Sequence, residues 1–241
     1  MANTTGTLTQ AQLDAVNNGL GSIGTEGDLF YRDATGLQKL AKGTASQVLT
    51  MNGGATAPSW ADASGGAWEF ITSSTASNSA TIDFTGLSNT YDRYVVQMSE
   101  LVPSVDNGSL YVRFGTGGSP TYVTSSNYCA VVRTSANIGP WADSQNTNTD
   151  HINLSMGIAQ FGTATGEHMN GEIILAGCAS ASLHTSIKFD LWGGMNSSSS
   201  SVSNSGSGIL RETTAVTAIR IYLHNGNIAS GYFRLYGLVK S

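Results

Sequence analysis

The chain has 241 residues, and only 11% of them are charged, against about 25% in typical soluble domains. With a formal net charge of −5 and only 11 Lys and Arg residues, binding to nucleic acid through phosphate neutralisation is not expected. The sequence shows no signal peptide, no apolar run long enough to span a membrane and no basic amphipathic helix, so we expect a protein made in the cytoplasm without membrane insertion. Few charges, 29 glycines and many β-branched residues predict an all-β chain rich in turns. The low charge and an apolar fraction of 40% argue against disorder.

The first predicted element is a short helix from Thr9 to Leu20, where Thr9 and Gln12 fit a capping box. A helix of this length is marginal alone, and its apolar residues at helical spacing need a partner. Those residues are Leu13, Val16 and Leu20. Packing on the same chain and docking with other chains, as a trimeric bundle or on a larger assembly, are both compatible with this pattern.

Residues 27–61 read GDLFYRDATGLQKLAKGTASQVLTMNGGATAPSWA and hold three short apolar runs. The runs Leu29–Arg32 and Leu37–Ala41 flank a turn signal and predict a β-hairpin, while Gln47–Met51 predicts a third strand. Three short strands are marginal unless another surface covers their apolar side chains. A second copy of the same segment is the simplest cover, and the residues predicted to meet it are Leu29, Tyr31 and Leu49.

The small polar run 61–66 predicts a boundary between an N-terminal segment, residues 1–66, and a C-terminal domain, residues 67–241. After it the sequence alternates between apolar and polar residues in about ten runs. The predicted strands are Trp68–Ile71, Ala80–Phe84, Tyr91–Met98, Ser109–Phe114, Ser126–Arg133, Ile152–Phe161, Met169–Ala176, Thr185–Trp192, Ala218–Leu223 and Gly231–Val239. This pattern predicts a two-sheet antiparallel β-sandwich, jelly-roll-like in arrangement.

The segment Gly27–Trp60 resembles a segment of many tailed-phage fibre and virion proteins, of the form GDLxYxDxTxLxxLxxGTxGQVLTxNxGATAPxW. It departs from that pattern at Ser46, where Gly is preferred. Three more segments resemble the β-sandwich tip domains of phage fibre-like proteins: TIDFTGLSNTYDRYVV (81–96), YVRFGTGGSPTY (111–122) and GYFRLYGLVK (231–240). The resemblance covers most of the chain. It implies an oligomeric, usually trimeric, structural or adhesive virion protein without a catalytic motif.

Candidate catalytic and metal-binding groups are few. Asp143, Asp150 and His151 lie in the run 139–151, where a carboxylate pair would suit glycoside cleavage, but a solvated loop of turn-forming residues is favoured. A metal site would need Asp150 and His151 to meet Glu167 or His168 in space, and no ligand spacing indicates it. We therefore predict no enzyme activity, no metal and no cofactor.

The run 196–208, NSSSSSVSNSGSG, predicts a long Ser-rich hairpin loop, with the variable tip of an adhesin as the alternative. Exposed aromatic rings beside polar side chains are the predicted glycan contacts, because sugars bind with their apolar faces on such rings. Trp141 with Asp143, Tyr122 and Trp192 fit that description. The alternative is that the tryptophans close the ends of the sandwich core.

These features predict a phage virion structural protein: a homotrimeric tail fibre or tailspike-like appendage. Its N-terminal segment is expected to contact other virion proteins, and its sandwich a host surface glycan. The alternative is a capsid decoration or head fibre protein with no receptor role. A polysaccharide depolymerase is less expected, because the sequence shows no repeat period.

Overall fold

A computed structural model of the chain describes residues 10–11, 26–63, 67–136, 142–155, 162–194 and 201–240. By its internal contacts the chain divides into two compact units, Met1–Gly65 and Gly66–Ser241. The predicted helix, including Leu13, Val16 and Leu20, lies outside the described residues except for Gln10 and Ala11, which have a helical backbone. Within the described part of the chain, no helix has the length and hydropathy to cross a bilayer.

The N-terminal unit contains two separate two-stranded antiparallel sheets. Strands β1 (Leu29–Arg32) and β2 (Leu37–Leu40) form the predicted hairpin. Its turn is held by Asp33, whose Oδ1 accepts the backbone N–H of Thr35 at 2.7 Å. Strand β3 (Gln47–Met51) pairs with β4 (Pro58–Asp62), which the sequence pattern did not predict. Proline can occupy the first position of a strand, and Pro58 does so here.

The second unit is an antiparallel β-sandwich, which confirms the predicted fold class, and its two-sheet arrangement is consistent with a jelly roll. Its strands are β5 (Trp68–Ser79), β6 (Thr81–Thr85), β7 (Tyr91–Pro103), β8 (Leu110–Thr116), β9 (Thr121–Tyr122), β10 (Tyr128–Ala136), β11 (Ala142–Thr149), β12 (Ile152–Asn153), β13 (Met169–Ala176), β14 (Ser186–Gly194), β15 (Ser201–Leu210), β16 (Val216–Leu223) and β17 (Ile228–Val239). The larger sheet has eight strands in the order β11-β10-β15-β14-β13-β7-β17-β5. The smaller sheet has five, in the order β12-β8-β16-β6 with β9 paired to β8.

The core consists of side chains from both sheets, and within a strand it is mainly every second residue that points inward. Strand β13 shows the pattern most clearly, because every second residue from Met169 to Leu175 is buried. Phe189 and Phe233 of the larger sheet and Phe114 and Ile221 of the smaller sheet are fully buried in one cluster. Each such side chain contributes about 1.5–3 kcal/mol by leaving water, so the sandwich supplies its own hydrophobic stabilisation.

The predicted Ser-rich loop is wrong from Ser201 onward, since residues 201–210 form β15, between β10 and β14. Its inward positions have no regular apolar pattern because the space beneath them is small. A Cβ on Gly206 would lie 2.5 Å from the Phe189 ring, and one on Gly208 would lie 2.8 Å from Ile152. The buried Asn204 side chain accepts a hydrogen bond from the Thr134 hydroxyl at 2.7 Å. Residues 196–200 of the run are outside the described part.

The predicted solvated loop at 139–151 is also largely a strand, because Ala142–Thr149 form β11 at the edge of the larger sheet. Its side chains are polar, and backbone pairing with β10 defines it as a strand. The predicted strand 152–161 is short in the described chain, where only Ile152 and Asn153 are in a strand. Residues 156–161 and Trp141 lie outside the described residues.

Candidate binding surfaces

The first candidate surface belongs to the N-terminal unit. Every residue of 26–63 is exposed or half-buried in the chain, and six large apolar side chains there are between 37% and 64% exposed. We call these six residues the N-terminal apolar surface: Leu29, Phe30, Leu37, Val48, Leu49 and Met51. Of the residues predicted for oligomerisation, Leu29 and Leu49 belong to this surface, and Tyr31 is half-buried. Six large apolar side chains exposed within 38 residues indicate an interaction site.

The hairpin β1–β2 carries apolar side chains on both of its faces. Leu29 lies directly opposite Leu40, and their side chains share one face. Phe30 and Leu37 alternate with them and therefore share the other face. A two-stranded sheet cannot cover both of its own faces, so these side chains require contacts from outside the hairpin.

The second candidate surface is a groove on the outer face of the larger sheet, over β15 and its neighbours. We call it the β15 groove. It has a volume of about 730 Å³, and the side chains that line it are Val131, Arg133, Asp143, Gln145, Lys188, Ser205 and Ser207. The neighbouring strands fix its geometry: Ser207 lies between Val131 of β10 and Lys188 of β14, and Ser205 lies between Arg133 and Asp190.

The charges around the β15 groove are paired. Arg133 Nε donates to Asp143 Oδ1 at 2.9 Å, and a second guanidinium nitrogen donates to Oδ2 at 3.3 Å. The hydrogen bond from Arg133 holds the pKa of Asp143 below its usual value. Lys188 Nζ lies 3.2 Å from Asp190 Oδ2. Each cation that lines this groove is therefore paired with a carboxylate, Arg133 with Asp143 and Lys188 with Asp190.

Trp192 lies on the same outer face as the β15 groove. It pairs across the sheet with Ser203, which points the same way as Ser205 and Ser207 because alternate residues of a strand share a face. Its side chain is 50% exposed. The alternative that Trp192 closes the end of the core is therefore wrong. The structure thus brings two predicted glycan contacts, Asp143 and Trp192, to one sheet face.

Tyr122, a third predicted glycan contact, lies on the smaller sheet instead. Arg220 donates to both oxygens of Asp83, at 2.8 and 2.6 Å, and its guanidinium carbon lies 3.7 Å from the centre of the Tyr122 ring. Burial raises the pKa of Tyr122 to about 12. One face of this ring is thus already occupied by a cation, which leaves less of it for a sugar.

The smaller sheet also carries a cluster of rings and charges that sequence patterns did not indicate. The His151 ring stacks on Tyr111 with 3.9 Å between ring centres. His151 Nδ1 lies 2.6 Å from Asp150 Oδ1, and Asp150 also pairs with Arg113. The sequence feature that could have revealed this cluster is the alternation in β8, which places Tyr111 and Arg113 on one side of the strand.

The carboxylates of the run 139–151 do not form an acid–base pair in the structure. Asp143 binds Arg133 of the larger sheet, whereas Asp150 binds Arg113 of the smaller one. The Glu167 carboxylate accepts the backbone N–H of Ala164 at 3.0 Å. Among the described residues, no three His, Cys, Asp or Glu side chains gather closely enough to hold a metal ion.

No protein-family model, curated protein or solved structure matches this chain.

Proposed function

We propose that this chain is a bacteriophage virion structural protein: a homotrimeric fibre-like appendage that assembles through its N-terminal unit and contacts a host surface glycan through its sandwich. The N-terminal apolar surface is the observation that carries the assembly part of this proposal. The phage assignment rests on the resemblance of residues 27–60 and of the three sandwich segments to fibre and virion proteins.

A shared assembly surface explains why residues 26–63 fold into strands without burying any residue in the chain. Hairpins of two strands are marginal in water. Full burial of a large apolar side chain contributes about 1.5–3 kcal/mol. The six side chains of the N-terminal apolar surface are 37–64% exposed in the single chain, so each one that another copy covers adds a fraction of that figure. Three copies related by a closed three-fold rotation bring the same residues of each copy to the rotation axis, where they can share one axial core.

The receptor part of the proposal is supported by the outer face of the larger sheet, because Asp143 of β11 and Trp192 of β14 both lie on it. A capsid decoration or head fibre protein without a receptor role would assemble in the same way and would bind no glycan. The two functions therefore differ in one measurable property, which is binding of polysaccharide by the sandwich.

The oligomeric state of the purified full chain tests the assembly. We expect a trimer at micromolar concentration by analytical ultracentrifugation, and a shift towards monomer in Leu37→Ser. Leu183→Ser is the matched control, because Leu183 in the sandwich is 62% exposed, close to the 64% of Leu37. A wild-type monomer, or equal dissociation of both variants, would contradict the proposal.

A further inference from the structure

We propose that the β15 groove is the glycan site of this protein and that it takes an uncharged, hydroxyl-rich polysaccharide chain. The inference rests on the proposed receptor role, and it adds the place of binding and the chemical class of the ligand. Of the four residues predicted from the sequence, Asp143 lines the groove and Trp192 lies on the same face. Tyr122 lies on the other sheet, and Trp141 lies outside the described residues.

The groove arises from a difference in side-chain size between adjacent strands. Ser205 and Ser207 form its floor on β15, and longer side chains rise from the strands on either side. On the β14 side these are Lys188 and Asp190, and on the β10 side Arg133 and Val131. The floor is rigid, because β15 is hydrogen-bonded on both edges and the space beneath Gly206 is filled by Phe189.

The lining suits hydroxyl groups. Serine hydroxyls donate and accept, the Gln145 amide does both, the Asp143 carboxylate accepts and the Arg133 guanidinium donates. Val131 is 53% exposed and offers an apolar surface for the C–H face of a sugar ring. Protein sites for small ligands have volumes of about 300–1,000 Å³, and the groove, at about 730 Å³, falls in this range. It can therefore hold a few sugar units of a longer chain.

The charge balance decides between classes of polysaccharide. Arg133 and Lys188 are each paired with a carboxylate, from Asp143 and Asp190 respectively. A polyanion is repelled by the carboxylate of each pair, and a polycation is repelled by the guanidinium or ammonium group. An uncharged polysaccharide meets neither repulsion, and its hydroxyls can hydrogen-bond to these charged groups without separating the ion pairs.

Trp192 extends the surface in one direction. Ser203, Ser205 and Ser207 follow one another at alternate positions, about 7 Å apart along β15, and Trp192 lies beside Ser203. A polysaccharide that runs along β15 past Ser203 would therefore meet the exposed indole ring. We assign Trp192 as a stacking platform at the end of the groove.

Affinity electrophoresis of the full chain tests the inference, in native gels that contain mannan, galactan or dextran, with hyaluronan and alginate as acidic probes. We expect at least one neutral polysaccharide to retard the protein. Ser207→Phe, which fills the exposed floor with a residue favoured in strands, should weaken binding tenfold or more, and Trp192→Ala should weaken it severalfold. Ser73→Phe is the control, since Ser73 is exposed on β5 at the far end of the same sheet, and it should bind like the wild type. Unchanged thermal unfolding shows that each variant is folded.

Three results would overturn the inference: no retardation by any neutral polysaccharide, retardation by the acidic probes only, or Ser207→Phe that binds as tightly as Ser73→Phe. The failure of the proposed function looks different. If the protein is a trimer that binds no polysaccharide, the assembly proposal stands and the glycan site is refuted. If it is a monomer that binds a neutral polysaccharide through the groove, the glycan site stands and the assembly proposal is refuted. Retardation that survives Ser207→Phe places the receptor surface elsewhere on the chain.

Discussion

The two units of this chain are both antiparallel β-structure, yet they obtain stability from different sources. The sandwich buries Phe114, Phe189 and Phe233 completely between its own strands. The N-terminal unit has similar strands and turns, but every residue of 26–63 keeps contact with water. Secondary structure alone therefore does not define a folding unit. A sheet becomes independent when a second sheet of the same chain covers it, and otherwise it needs contacts from outside the sheet.

The largest expected effect comes from removing residues 1–66. The remaining sandwich should fold and unfold as a monomer, and incorporation into virus particles should be lost. The reason is that the sandwich contains its own core, while the N-terminal apolar surface is removed. Ultracentrifugation and the protein content of purified particles measure the two outcomes. A truncated chain that still enters particles at full occupancy would place the attachment site in the sandwich.

The next prediction compares the same substitution, Phe→Ala, in the two units. Phe189→Ala should lower the free energy of unfolding of the sandwich by about 3–5 kcal/mol at any protein concentration, because Phe189 is fully buried. Phe30→Ala should leave the urea midpoint of the sandwich unchanged and weaken assembly instead. If Phe30→Ala lowers the urea midpoint of the sandwich as much as Phe189→Ala does, the two units do not unfold independently.

Alkaline pH should weaken the sandwich specifically. Burial raises the pKa of both Tyr122 and Tyr222 to about 12, above the usual value of about 10. The folded state therefore holds the phenolic protons more tightly than the unfolded state. This stabilisation is complete below pH 10 and is lost as the pH rises to about 12. Denaturation from pH 9 to 12 should show the decline in the full chain, and less of it in Tyr222→Phe. A decline of equal size in that variant would contradict the assignment.

The smallest effect is a gain at the one departure from the fibre-type pattern noted in the sequence. Ser46 has a φ of 71°, in the left-handed region where glycine carries no steric penalty. Ser46→Gly should therefore stabilise the assembled N-terminal unit by about 0.5–1 kcal/mol, seen as a lower concentration for trimer dissociation. Ser59→Gly, at a regular position in β4, should act in the opposite direction.

The sequence predicted those strands whose apolar residues alternate against a core. Met169–Ala176 was predicted with its observed bounds, because four of its residues point into the sandwich in strict alternation. Strand β15 was missed because serines occupy its outward positions, while two of its inward positions hold glycine. Those glycines are required by contacts with Phe189 and Ile152, which are distant in sequence. Local patterns do not contain such information.

The candidate sites show the same limit. Asp143 and Trp192 were predicted from their chemistry, but their common face follows from strand order, which joins β11 and β14 through β10 and β15. Tyr122 has the same chemistry, and the fold places it on the other sheet against Arg220. Residue type therefore identified candidates, and the antiparallel pairing of distant segments determined which of them share a face.

The pairing of the strands also affects how the chain folds during synthesis. Strand β5 lies at the edge of the larger sheet, and its only strand neighbour among the described residues is β17, with Trp68 opposite Leu238. A ribosome releases β5 early, and that strand stays unpaired until β17 has emerged. Contacts this distant in sequence close slowly. During that interval the unpaired backbone N–H and C=O groups of β5 are open to other nascent chains, so a chaperone that shields this strand should increase the yield of folded protein.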